Sequence, residues 1–205
     1  DVVMVNDSNK INLIKRIVGD DRAHLMDSCD KTIFFCQVER PSVNYEKIVV
    51  VAPVHAELEP TFVSWVERVF RLSHELKIPI EAFMHSNTYE RFLKVALANK
   101  IDATSKLIAI EEMQDFFIYA DRKENDFVIA VGARTGSVSY FSDSDTFLAK
   151  VQKAYEDNDW VLVIPGQEKE NLFKEYEDIS GNAIGIGVDT LSRIGKEVGS
   201  IFKKD

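Results

Sequence analysis

Apolar and polar positions recur along this chain in two alternating periods. The runs EKIVVVAPV, IPIEAFM, SKLIAI, DFVIAVGA and WVLVIP are short and apolar at nearly every position, the pattern of strands buried on both faces. Between them the spacing changes to that of helices. Phe62, Trp65, Val66, Val69, Leu72 and Leu76 fall on one helical face, with Pro60 tolerated in a first turn that has spare N–H groups and an end near Lys77. Asn87 followed by Glu90 resembles a capping box opening a helix that carries Phe92, Val95 and Ala96. EEMQDFFIYA predicts a short helix, and the cap-rich SDSD opens another with Phe147, Leu148, Val151, Ala154 and Tyr155 on its inner face. Residues 46–167 therefore predict an α/β domain: an open, parallel five-stranded sheet covered by helices on both faces, three layers in all.

Two segments fall outside that unit. Residues 1–45 read as strand (DVVMVN), helix (Ile11–Leu25) and strand (KTIFFCQVE), the shape of the last third of another such domain, and the opening on a strand suggests a cut inside a longer protein. Residues 168–205 combine an acidic stretch and a glycine-punctuated GNAIGIG with Val188, Leu191, Ile194, Val198, Ile201 and Phe202 at helical spacing. That tail predicts an acidic linker and an amphipathic helix that needs a surface to cover.

Composition narrows the function classes. A hydrophobic fraction of 45 % supports a sizeable core, and a net charge of −9 opposes bulk electrostatic binding to nucleic acid or an anionic bilayer. No apolar run approaches the about 20 residues that span a membrane, and no signal-peptide pattern opens the chain. Cys29 and Cys36 form no CxxC and read as buried small hydrophobes of a reducing, cytoplasmic compartment.

Chemistry is expected where loops leave the carboxyl ends of the strands, at the point where strand order reverses. Two loops should meet there: Pro53–Glu59 after the first strand of the unit and Gly132–Tyr140 after the fourth. From them, Pro53, Val54, His55, Glu57, Gly132, Arg134, Gly136, Ser137 and Ser139, with His85 after the second strand, are the candidate ligand-binding residues. Glycines allow tight turns, and the serine hydroxyls with the Arg134 guanidinium could hold an anion. From the residues alone plain turn formation is the favoured reading, with the serines satisfying backbone groups and Arg134 paired to a nearby acid. A histidine at either position, His55 or His85, could sense pH; His24 and His74 sit in predicted helices without ligating neighbours. Glu57, Glu59, Glu111 and Glu112 fit helix N-termini electrostatically. GxSxG, HExxH, GxxxxGK[ST] and GxGxxG patterns are absent, so no catalytic residue or metal ligand is expected.

The wording of these loops resembles the C-terminal cytosolic region of Bacteroidetes-type monovalent cation:proton antiporters. The matching elements are Pro53, Ala56, Glu57, Glu59 and Trp65, then Ala133, Arg134, Gly136, Ser137, Ser139 and Tyr140, then Pro165 and Gln167. The terminal SRIGKEVGSIFKKD also resembles the end of such proteins, so that the likeness runs from about residue 30 to residue 205. One departure is Gly166, where family members often read PEQ. The resemblance implies a fold like universal stress proteins (adenine nucleotide alpha hydrolase-like), a membrane transporter domain in the same polypeptide, and a regulatory role beside Na⁺/H⁺ or K⁺/H⁺ exchange at the cytoplasmic face. A homodimer through the last strand or the tail, making an assembly module, is the second implication. A stand-alone ATP-binding universal stress protein is the third. Adenine nucleotide is a weaker expectation: the first strand ends Ala52–Pro53–Val54 without the aspartate of ATP-binding members, and Gly132 and Gly136 stand without their third glycine.

Overall fold

The computed structural model describes the backbone of residues 2–6 and, with side chains, residues 29–39 and 44–167. The expected helix Ile11–Leu25 with His24, and everything after Gln167 including the expected amphipathic tail, lie outside the described residues. Seven strands form one sheet: β1 (Val2–Asn6), β2 (Thr32–Gln37), β3 (Lys47–Val51), β4 (Ile80–Met84), β5 (Ser105–Ala109), β6 (Asp126–Val131) and β7 (Asp159–Ile164). Among the described residues four helices join β3 to β7: α1 (Phe62–Leu76), α2 (Ser86–Ala98), α3 (Phe116–Tyr119) and α4 (Ser144–Ala154).

The spatial order is β1-β2-β7-β6-β3-β4-β5. Strands β3 to β7 pair in parallel, as the alternating pattern predicts. Alternate residues of the strands face opposite helical layers. Ile48, Val50, Ala82, Met84 and Ile129 meet Trp65, Val66, Val69 and Phe70 of α1 and Phe92 and Val95 of α2. Val49, Val51, Phe83, Val128 and Ala130 meet Phe116 of α3 and Phe147, Leu148 and Val151 of α4. Phe116 is central to this second layer, its ring edge-on to Phe83 at 5.0 Å.

Residues 1–45 were assigned above to the end of another unit, yet β1 and β2 continue the same sheet. β1 pairs in parallel with β2, and β2 runs antiparallel to β7, with Phe34 opposite Val163 and Cys36 opposite Val161. Burial pushes the Cys36 thiol up, which keeps it protonated and inert. Cys29 is only half-buried, so it is less a core residue than expected.

Two helix ends differ from expectation. His85, not Asn87, caps α2: its backbone is extended and its Nδ1 accepts the Asn87 N–H at 3.3 Å. In EEMQDFFIYA a 3₁₀ turn, Met113–Asp115, precedes α3, and Glu112 with Asp115 forms a reciprocal capping box.

Where the strands begin, charge is buried. Lys47 bridges Glu81 at 2.6 Å and reaches Asp126 at only 3.9 Å. Asp126 Oδ2 accepts the Lys123 N–H at 2.9 Å, while its Oδ1, like the Tyr155 hydroxyl, has no hydrogen-bond partner. Burial pushes the Asp126 carboxyl above the ordinary 3.8, with Glu81 adding repulsion, and the Lys123 N–H and Lys47 do not cancel this. A raised folded pKa means that protonation favours the fold; that contribution is complete below the unfolded value and is lost as pH rises through the folded one. Asp126→Asn cannot ionise, and Lys47 keeps Glu81. Urea unfolding from about pH 3.5 to about pH 7.5 is expected to show the variant gaining stability relative to the parent as pH rises. A variant that instead loses stability relative to the parent as pH rises would refute this reading.

Candidate functional site

Strand order reverses at β3. The chain runs outward from β3 to β4 and β5, then returns to β6 on the other side of β3, so the loops leaving β3 and β6 turn to opposite faces and part at the carboxyl edge. Val51 stands opposite Ala130, which sets the Pro53 turn beside the Gly132 loop. A crevice of about 360 Å³ opens there, bounded by Val54 and His55 after β3, Glu111–Gln114 after β5, and Val138–Asp143 before α4.

Each wall is locally determined. The β3 turn closes on Ala56 N–H to Pro53 O at 3.2 Å and puts His55 in the left-handed region, φ 66°. The 3₁₀ turn Ala56–Leu58 then delivers Glu59 into the interior, 6 % exposed. Its Oε1 accepts both the Ser139 N–H at 3.0 Å and the Ser139 hydroxyl at 2.6 Å, binding the β3 and β6 loops together. Such charge-assisted bonds are about twice as strong as neutral ones. Glu57 Oε2 accepts the Thr88 hydroxyl at 2.6 Å, which ties the same turn to α2.

The fold separates the candidate residues by role. Val54, His55 and Ser139 line the crevice. Pro53 and Glu57 shape the β3 turn, and His85 stands at the rim, its Nε2 3.6 Å from Glu111 Oε2. Gly132, Gly136 and Ser137 shape the β6 loop: a Cβ on Gly132 would come 2.7 Å from the Ile164 side chain, Gly136 has φ 85°, and Ser137 N–H closes a turn on Arg134 O at 3.0 Å. Arg134 points elsewhere. It is 4 % exposed, donating from Nε to Pro165 O at 2.7 Å and from Nη2 to Lys31 O at 2.9 Å.

Met113, Gln114, Phe141, Ser142 and Asp143 complete the lining. The sequence pattern places Met113 and Gln114 in a short helix and Ser142 and Asp143 in a helix opening, and is silent on Phe141; the signal that could have found them is that both segments follow the carboxyl ends of strands, β5 and β6. The lining carries Glu111, Glu112 and Asp143 and no lysine or arginine, although Glu112 also serves the capping box. Chemically, the crevice suits a small neutral or cationic molecule better than a polyphosphate. Compared with known proteins, the chain matches no family model and no curated sequence.

Proposed function

We propose that this chain is a regulatory module of a bacterial cation:proton antiporter and that a small ligand in the crevice between the β3 and β6 loops biases the attached transporter. The carrying observation is the juxtaposition of the two antiporter-like loops, Pro53–Glu59 and Gly132–Tyr140, at one reversal point with a cavity between them and the Glu111 loop. A ligand shifts a conformational equilibrium only through its different affinities for the two states, and a cavity walled by three separate loops offers such a difference when the loops move. The acidic lining and the commitment of Arg134 to Pro165 and Lys31 favour a neutral or cationic ligand over adenine nucleotide. No helix of the described residues is long and apolar enough to cross a membrane, so ion translocation would belong to another part of the polypeptide. An assembly role through the tail concerns residues outside those described.

The test uses the full-length transporter. Val138→Trp and Tyr140→Ala alter exposed crevice residues and leave the core intact. Cation/proton exchange in vesicles is expected to change by about fivefold or more, the lower range of coupling between sites. Unchanged exchange in both variants would overturn the proposal.

A further inference from the structure

Arg134 takes part in a knot that the crevice does not explain. Four chain segments converge on it: the β6 loop, the end of β7, the start of β2 and the first turn of α1. Arg134 donates to Pro165 O at 2.7 Å and to Lys31 O at 2.9 Å. Gly166 N–H is shared between Thr61 Oγ1 at 2.8 Å and Thr32 Oγ1 at 3.3 Å, and Gln167 N–H reaches Asp30 O at 2.9 Å. The packing is close. A Cβ on Gly166 would lie 2.7 Å from Asp30 O and 2.9 Å from Thr32 N.

We propose that this knot couples the crevice to the antiparallel β2–β7 seam, with Arg134 as its positioning residue. The reading rests on the regulatory crevice above and supplies its route outward. Two hydrogen-bonded paths lead from crevice to seam. One runs from Glu59 through Ser139 and the Ser137–Arg134 turn to the guanidinium. The other runs from Glu59, whose carbonyl accepts the Phe62 N–H at 3.0 Å, through Thr61 to Gly166. A planar guanidinium holding two carbonyls fixes both their distance and their angle, which a lysine cannot do. Movement of the β6 loop therefore displaces Pro165 and Lys31 together, and both flank the seam.

Hydrogen exchange of the full chain tests this without any ligand. Arg134→Lys is expected to speed exchange of the Thr32–Gln37 amides by about tenfold, the equivalent of about 1.4 kcal/mol. The decisive variant is Ser139→Ala, which removes the shorter, hydroxyl bond to Glu59 on the crevice side, leaves the backbone N–H bond, and touches nothing in the seam. It is expected to speed Thr32–Gln37 about threefold or more while the β4 and β5 amides keep their rates. Faster exchange confined to residues 54–59 and 135–143 would overturn the coupling, and so would equal acceleration throughout the sheet. An unaltered β2 would leave the transport test standing, whereas coupled exchange with unaltered transport would remove the regulatory reading alone.

Discussion

Trp65→Ala is expected to lower the unfolding free energy by about 3–5 kcal/mol. Trp65 is fully buried, at 0 % exposure, with its ring 5.2 Å from Phe62 and 6.2 Å from Phe92. It fills the space between α1, α2 and the sheet beneath the β3 turn, so its removal leaves a cavity that three rigid elements cannot close. Its indole Nε1 has no hydrogen-bond partner, and an unsatisfied buried donor costs about 1–3 kcal/mol. Trp65→Phe deletes that donor with part of the ring, and the two effects oppose each other. The phenylalanine variant is therefore expected within about 1.5 kcal/mol of the parent. Urea denaturation followed by far-ultraviolet circular dichroism measures both. Comparable losses for the two variants would overturn this reading, because the ring volume that phenylalanine keeps would then contribute nothing.

Gly166→Ala has the second large effect, expected at about 1–3 kcal/mol, the usual penalty of overpacking. The atoms in its way are backbone: Asp30 O at 2.7 Å, Thr32 N at 2.9 Å and Lys31 C at 3.0 Å. Backbone at the entry of a paired strand cannot swing aside as a side-chain tip does, so the start of β2 must shift against the end of β7. Gly166→Glu, which writes the PEQ pattern of the resembled family into this segment, is expected to be worse because a carboxylate would enter a site already filled. Thermal unfolding of the two variants checks the order, and a neutral Gly166→Glu would mean that the segment from Asp30 to Thr32 yields readily.

Much of this architecture is legible in the letters, and the reasons differ by element. IVVV and FVIAV are apolar on both faces because parallel strands between helical layers have no wet side. The lysine that ends α1 was legible too: Lys77 adopts the left-handed region, φ 56°, at the helix C-cap. Strand direction was not. KTIFFCQVE and WVLVIP look alike as buried strands, and nothing in an apolar run records whether its neighbour is parallel or antiparallel. The loops that flank the crevice could be placed because the reversal point follows from connectivity.

The role of Arg134 could not be read so simply. Gly, Ser and Arg in one loop suggest an anion site, but a guanidinium acts on whatever acceptors the fold brings to it. Here those are carbonyls 31 and 103 residues away in sequence. A pattern confined to one loop cannot contain them. The glycine at 166 gave the better signal, since a departure from the resembled pattern fell where two backbones meet.

The antiparallel β2–β7 pairing has a directional consequence. Gln37, at the end of β2, lies opposite Trp160 near the start of β7, and just beyond it the Glu39 N–H meets Asp159 Oδ1 at 2.7 Å. The exits of β1 and β2 thus open on the rim where the other five strands enter, away from the crevice.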